Sequence, residues 1–283
     1  MNEKKVAVIG SGLMGGGIAQ LCAQSGFETV NVDIAPEPLE RAQALVEKLL
    51  SGKVAKGKMD QAEKDAVMGR LAYSCDFADI ADAAVVVEAV PERMDVKKAT
   101  FASIDEHADP EAVLLTNTSG LSVSAIAAAT ARPGSVMGMH FFYPAPVMRL
   151  VELIRGLATT DDTYDRAAAF AEAIGKEAID APELPGFVVN RLIVPYQNEG
   201  AFLVMEGVAP EDVDRGMKLG CNHPMGPCEL MDFTGIDVVL ATMRGLYEQF
   251  GDSKYRPAPI LQTMVDAGRL GRKTGRGFYD YTK

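Results

Sequence analysis

Short apolar runs recur along the first half of the chain, and most are separated by longer stretches in which apolar positions return every three or four residues. Such runs are typical of strands buried on both faces, and the longer stretches are typical of amphipathic helices. The predicted strands are residues 5–9, 29–32, 84–90, 112–116 and 135–139. Their alternation with helical segments predicts βα units and a mostly parallel sheet.

One long interval departs from this simple alternation. Residues 38–71 are charged and rich in Ala, Leu, Glu and Lys, which predicts two helices broken near Ser51-Gly52 and projecting from the sheet. Later in the chain, residues 161–174 have helical periodicity and residues 177–180 form one last short strand. The sheet is therefore expected to end near residue 180.

A Pro- and Gly-rich connector at residues 182–186 separates two kinds of sequence. Beyond it, an apolar helical stretch continues despite Pro195, and helical patches then alternate with Gly and Pro loops. The pattern predicts an α/β domain over residues 1–185, with a projecting helical hairpin, and a smaller all-helical domain over residues 186–283.

Charge and hydropathy exclude several classes of function. The formal net charge of −11 disfavours nonspecific binding to nucleic acid or anionic membranes, because the attraction to phosphates would have the wrong sign. The chain has no uninterrupted run of about twenty apolar residues, and the apolar run at 6–9 is too short for a signal peptide. We predict a cytoplasmic protein that binds neither nucleic acid nor membrane.

The four cysteines show no CxxC spacing and suggest no disulfide framework in a chain of 283 residues. Three potential metal ligands lie close together in the sequence, at Cys221, His223 and Cys228. The Pro and Gly residues between them are more typical of a loop than of a metal site. No metal site is predicted.

A glycine-rich turn follows the first predicted strand at once and opens a helix. Glycines in this setting let backbone N–H groups approach a pyrophosphate, which is the dinucleotide-binding arrangement of a Rossmann-type fold. Asp33, at the end of the second strand, can accept hydrogen bonds from a ribose diol and would repel a 2′-phosphate, so NAD is favoured over NADP. The predicted cofactor-binding residues of the turn are Gly10, Gly12, Leu13, Met14 and Gly15.

His140 and Glu152 lie on two apolar segments joined by a proline-containing turn. If these segments pair as antiparallel strands, the two residues lie opposite one another, and the carboxylate can hold one ring nitrogen. If the pair is considered alone, a structural His–Glu pair is the favoured explanation over a proton-transfer dyad. The dinucleotide turn favours the catalytic interpretation, because oxidation of an alcohol by hydride transfer leaves a proton for a base.

Several motifs together resemble the L-3-hydroxyacyl-CoA dehydrogenase family from the glycine turn to the C-terminus. Besides the turn and the His140–Glu152 segment, they are Asn117-Thr-Ser119, Pro185-Gly-Phe-Val-Val-Asn190-Arg, Asn222-His-Pro-Met-Gly-Pro227 and Gly271-Arg-Lys-Thr-Gly-Arg-Gly-Phe-Tyr279. The resemblance implies a Rossmann-type domain followed by a helical domain through which subunits form a homodimer. It also implies interconversion of (S)-3-hydroxyacyl-CoA and 3-oxoacyl-CoA with NAD, on short chains such as 3-hydroxybutyryl-CoA and acetoacetyl-CoA.

The same resemblance assigns roles to individual residues. His140 would be the acid/base and Glu152 would orient it, while Ser119 and Asn190 would contact the reacting end of the substrate. Coenzyme A would lie near Lys53 and Lys56 in the projecting helices. The further cofactor contacts that it implies are Glu92, Lys97, Asn117 and, in the helical domain, Lys273.

From the residues alone, several of these assignments have equal or simpler alternatives. Ser119 could be a helix N-cap, and Glu92 and Lys97 by themselves have the pattern of surface charges. The chain also departs from the family at Tyr143, where Asn is common. Two other functions stay open: the same chemistry on a sugar acid without CoA, and a nonenzymatic nucleotide-binding protein.

Overall fold

The computed structural model describes residues 5–282 of the chain. The polypeptide divides into two compact units between Glu183 and Leu184. The first unit contains one sheet of eight strands: β1 Lys5–Ile9, β2 Thr29–Val32, β3 Leu71–Ser74, β4 Ala83–Glu88, β5 Val113–Thr116, β6 Val136–Phe141, β7 Leu150–Arg155 and β8 Glu177–Ala181. Its helices are α1 Leu13–Gln24, α2 Pro36–Ala55, α3 Gln61–Gly69, α4 Met94–His107, α5 Val123–Ala127 and α6 Asp161–Ala173.

The strand order in the sheet is β3-β2-β1-β4-β5-β6-β7-β8. All neighbouring pairs run parallel except β6 and β7, which are antiparallel. The predicted Rossmann-type, mostly parallel sheet is therefore confirmed. The carboxyl ends of β1, β2, β4, β5 and β6 lie at one edge of the sheet, which is where ligands bind in open α/β sheets.

Alternation along the strands of the first unit produces two hydrophobic cores, one on each face of the sheet. In β1, Val6 and Val8 belong to the core that includes residues of α1 and α6, whereas Ala7 and Ile9 belong to the core that includes residues of α4 and α5. Successive side chains of a strand point to opposite faces, so both faces of the sheet are covered by helices. This explains why the strands appear in the sequence as continuous apolar runs.

The projecting segment differs from its prediction in two respects. Helix α2 continues through Ser51-Gly52 to Ala55, because its buried face is held by residues before the glycine, including Leu50. The break comes later, at a turn with Gly57 in the left-handed region, before Asp60 caps α3. The sequence also gave no indication of β3, a half-buried edge strand without an apolar run.

The second unit is helical and has its own hydrophobic core. Two buried aspartates hold its C-terminal segment: Asp232 accepts hydrogen bonds from the backbone N–H groups of Phe278 and Tyr279, and Asp214 accepts one from the Tyr279 hydroxyl. Gly277 is needed there, since a Cβ would lie 1.9 Å from an Asp232 oxygen. The helices are α7 Val189–Met205, α8 Pro210–Cys221, α9 Pro227–Thr234, α10 Ile236–Phe250 and α11 Pro259–Asp266.

Among the described residues, no helix combines the length and the apolar character that a membrane crossing requires.

Candidate functional site

The glycine turn joins β1 to α1 at the carboxyl edge of the sheet. Gly10 has a φ of +98°, and a Cβ on Gly15 would lie only 1.9 Å from the Gly10 carbonyl oxygen, so the turn and the helix touch through their backbones. A Cβ on Gly12, the N-cap of α1, would meet no atom within 4 Å. The helix N-terminus, with Leu13 and Met14 as its first residues, is therefore open to a pyrophosphate group.

Asp33 follows β2 and lies beside this turn. Its Oδ2 accepts a hydrogen bond of 2.7 Å from the backbone N–H of Ser11. The carboxylate is thereby fixed next to the helix N-terminus, and Oδ1 can accept a hydrogen bond from a ribose diol. These residues fit the adenosine half of an NAD molecule in the way the sequence predicts.

His140 and Glu152 are directly opposite each other in the antiparallel pair β6–β7, as predicted. His140 Nδ1 lies 2.6 Å from Glu152 Oε2, and the two residues are 5% and 0% exposed. In such a setting a carboxylate is stable as an anion only if it is hydrogen bonded, and the imidazole supplies that bond. Because Nδ1 faces the carboxylate, Nε2 is the nitrogen that can exchange a proton with a substrate.

A second buried charge cluster lies at the carboxyl end of β4. Lys97, on α4, is 0% exposed, and its Nζ lies 2.6 Å from Glu88 Oε1 and 3.5 Å from Glu92 Oε2. The surface-charge interpretation of Lys97 is therefore wrong. Thr116 donates to the second Glu88 oxygen at 2.6 Å, so the Glu88 carboxylate is hydrogen bonded through both oxygens.

Sequence analysis missed Glu88 altogether. Its signal is a carboxylate that closes an otherwise apolar strand, Ala-Ala-Val-Val-Val-Glu, at the edge where ligands bind. A charge at the end of a buried strand needs a partner, but that partner comes from a helix nine residues later.

Glu92 connects this cluster to the loop after β5. Its Oε1 accepts hydrogen bonds from the Thr118 hydroxyl at 2.6 Å and from the Ser119 backbone N–H at 2.7 Å. Ser119 itself is exposed, and the N-cap of α5 is Ser122, whose hydroxyl accepts from the Ala125 N–H. The N-cap interpretation of Ser119 is therefore wrong.

Asn117 links the ends of three strands. Its backbone N–H donates to the Glu88 carbonyl, and its side-chain Oδ1 accepts a hydrogen bond of 2.9 Å from the Phe141 N–H, next to His140. The loop with Ser119 is thus tied both to β4 and to the strand that carries His140. These bonds hold the candidate residues at one edge of the sheet.

The remaining predicted residues lie in other elements. Lys53 is half-buried in the last turn of α2, and Lys56 is exposed just after that helix. In the second unit, Asn190 is the second residue of α7, and the ammonium of Lys273 lies 2.6 Å from Asp237 Oδ1. Within residues 5–282, no group of three or more His, Cys, Asp or Glu side chains could hold a metal ion.

Comparison with protein families gives two adjacent matches. The model described as "3-hydroxyacyl-CoA dehydrogenase, NAD binding domain" matches residues 5–184. The model described as "3-hydroxyacyl-CoA dehydrogenase, C-terminal domain" matches residues 186–281. Together they span nearly the whole chain.

Individual relatives are similar over their full length. A probable 3-hydroxybutyryl-CoA dehydrogenase of Deinococcus radiodurans is 48% identical, with 98% of this chain and 100% of the relative covered. A 3-hydroxybutyryl-CoA dehydrogenase of Clostridioides difficile is 45% identical, with 99% and 100% covered. The crystal structure of (S)-3-hydroxybutyryl-CoA dehydrogenase from Ralstonia eutropha superposes with a TM-score of 0.96 at 43% identity, with both chains fully covered.

Proposed function

Since the chain belongs to the 3-hydroxyacyl-CoA dehydrogenase family, we propose that it interconverts (S)-3-hydroxyacyl-CoA and 3-oxoacyl-CoA with NAD. The proposed substrate pair is 3-hydroxybutyryl-CoA and acetoacetyl-CoA, after the names of its relatives. The observation that carries the proposal is the buried His140–Glu152 pair at the ligand-binding edge of a dinucleotide-binding sheet.

In the proposed reaction, His140 moves the proton. When bound, NAD supplies the acceptor for the hydride that leaves C3 of the hydroxyacyl group. His140 Nε2 takes the hydroxyl proton as the C3–O bond becomes a carbonyl, and returns a proton to that oxygen in the reverse direction. Glu152 stabilises the imidazolium and fixes the ring through Nδ1.

Ser119 and Asn190 complete the proposed catalytic set. The Ser119 hydroxyl would donate a hydrogen bond to the C3 oxygen, where negative charge develops during reduction. Support for this role comes from the two hydrogen bonds that fix the Ser119 backbone and its neighbour Thr118 on Glu92. Asn190 would contact the same end of the substrate through its side-chain amide.

The proposed NAD site consists of the glycine turn, Asp33, Glu92, Asn117 and Lys273. Lys97 would act on it indirectly, since its ammonium is buried against Glu88 and neighbours Glu92. Lys53 and Lys56 would bind phosphate groups of coenzyme A.

The domain roles are part of the proposal. Residues 1–185 would bind NAD, and residues 186–283 would contribute to the substrate site and to a homodimer. A cytoplasmic location stays a prediction.

Oxidation of NADH by the purified protein, followed at a series of acyl-CoA chain lengths and repeated with NADPH, tests the proposal. Acetoacetyl-CoA should support turnover with NADH. His140→Ala should lower kcat by about 10²–10⁴-fold while leaving NADH binding intact, because only proton transfer is lost. His107→Ala is the matched control, since His107 is exposed on α4. Undiminished turnover in His140→Ala would contradict the mechanism.

A further inference from the structure

Strand β2 contains a fully buried amide in an apolar setting. All four of its residues, Thr29–Val32, are buried, and Asn31 is 0% exposed. An amide at such a position is unfavourable unless its polar atoms are hydrogen bonded. Packing alone would be satisfied by an aliphatic residue, as it is at the neighbouring Val30 and Val32.

The Asn31 amide donates to the turn that would bind the cofactor. Its Nδ2 donates to the carbonyl oxygens of Val8 at 3.0 Å and Gly10 at 2.9 Å. The Gly10 carbonyl carbon is bonded to the nitrogen of Ser11. The Ser11 N–H donates a hydrogen bond of 2.7 Å to Asp33 Oδ2. A single peptide unit, Gly10–Ser11, is therefore held at its C=O by Asn31 and at its N–H by Asp33.

The orientation of this peptide unit determines where α1 begins. Gly10 adopts a φ of +98°, and its N–H donates to the Val32 carbonyl at 2.7 Å. Its carbonyl oxygen lies so close to Gly15 that any side chain there would collide with it. A rotated Gly10–Ser11 peptide would therefore displace Gly12 and the first N–H groups of α1, which would bind the pyrophosphate.

The oxygen of the Asn31 amide is less well placed than its nitrogen. Its Oδ1 is buried and has no hydrogen-bond partner within residues 5–282. An unsatisfied acceptor in a core is destabilising, and an aliphatic residue would avoid it. The presence of an amide here is explained by the two hydrogen bonds that it donates.

We propose that Asn31 is a positioning residue for cofactor binding: together with Asp33 it fixes the Gly10–Ser11 peptide, and thereby the pyrophosphate-binding N-terminus of α1. The inference rests on the proposed function, because it concerns the NAD site of the same enzyme. Asn31 acts through the backbone of the turn, so its effect falls on cofactor affinity and not on the chemical step.

The test is the dissociation constant of NADH, measured by fluorescence titration, for wild type and Asn31→Leu. Leucine has a similar volume but donates no hydrogen bond. We expect the dissociation constant to rise about tenfold, because the hydrogen bond that holds the Gly10 carbonyl is lost, with kcat at saturating NADH nearly unchanged. Thr29→Val is the matched control, because it removes the hydrogen bond that the buried Thr29 donates to the Phe27 carbonyl at the other end of β2, and it should leave NADH affinity unchanged.

Several outcomes would overturn the inference. NADH affinity of a folded Asn31→Leu within about twofold of wild type would do so, as would an equal loss in Thr29→Val. If Asn31→Leu does not fold, Asn31→Ala is measured in the same way; failure of both to fold would make Asn31 a core residue only. Wild type that binds no NADH would overturn the proposed function as well, so the two failures are distinguishable.

Discussion

Lys97 and Glu88 are buried together, and each provides the countercharge that the other requires. Both side chains are fully inaccessible to solvent, and their charged atoms are 2.6 Å apart. Removing one partner of a buried ion pair leaves an unpaired charge, whereas removing both can be nearly neutral. The pair also neighbours Glu92, which fixes the backbone of Ser119.

Lys97→Met should lower the free energy of unfolding by about 3–5 kcal/mol, because it leaves the Glu88 carboxylate buried without a cation. The double variant Lys97→Met with Glu88→Gln should recover much of that loss. Urea unfolding of both single variants and the double variant measures the coupling. Lys98→Met is the control on the exposed side of α4, and a loss in Lys97→Met no larger than in this control would contradict the burial.

The loop between β6 and β7 is held by Lys176, the residue just before β8. Lys176 is about nine-tenths buried, and its ammonium donates to the carbonyl oxygens of Ala145 and Met148. Ala145 in turn packs against Gly17 of α1. The loop that joins His140 to Glu152 is thus held between β8 and the helix of the dinucleotide site.

Burial lowers the pKa of Lys176 below its usual 10.5. Between the lowered pKa and 10.5 the unfolded chain binds more protons than the folded chain, so the contribution of Lys176 to the free energy of unfolding increases as pH rises through that window. Lys176→Met should remove this increase. Urea unfolding of wild type and variant at several alkaline pH values measures it, and identical slopes against pH would contradict the prediction.

The two lysines that would bind coenzyme A lie in the last turn of α2 and just after it. Replacing Lys53 and Lys56 by Ala should raise KM for acetoacetyl-CoA several-fold and leave KM for NADH unchanged, because only the phosphate contacts are lost. Steady-state kinetics with both substrates varied provides the measurement. Lys98→Ala on α4 is an exposed control. An unchanged KM for acetoacetyl-CoA in the double variant would argue against a phosphate site at this end of α2.

The proposed homodimer can be tested by the mass of the protein in solution. The second unit carries three large apolar side chains that are more than half exposed, Leu192, Leu219 and Phe233. Burial of such side chains between subunits would stabilise a dimer. Light scattering with size-exclusion chromatography should give about twice the chain mass of 30.2 kDa.

Leu192, Leu219 and Phe233 are each replaced by Glu in a separate variant. At least one of these variants should shift toward the monomer, because a charge would be buried in the interface. Leu157→Glu is the matched control, since Leu157 is 94% exposed and lies in the first unit. A monomeric wild type, or a dimer that none of the three substitutions affects, would contradict dimerisation through the second unit.

Local pattern was sufficient wherever a feature depends on residues close in sequence. The strands 5–9 and 29–32 have their predicted bounds, because most residues of a strand buried on both faces are apolar. The pairing of His140 with Glu152 was also predictable, since antiparallel strands that fold back about residues 144–146 place these two residues roughly opposite each other. By contrast, α2 passes through Ser51-Gly52, because contacts with α1 and α3 stabilise the helix more than one glycine weakens it.

Local sequence pattern was enough to predict the mostly parallel sheet, the dinucleotide turn with Asp33, and the pairing of His140 with Glu152. The burial of Lys97 and the choice of carbonyls that the Asn31 amide holds depend on how distant elements pack. Periodicity and turn chemistry act over a few residues, whereas a buried polar group is satisfied by any element that packs against it. The partner of such a group therefore becomes visible only when the elements are assembled.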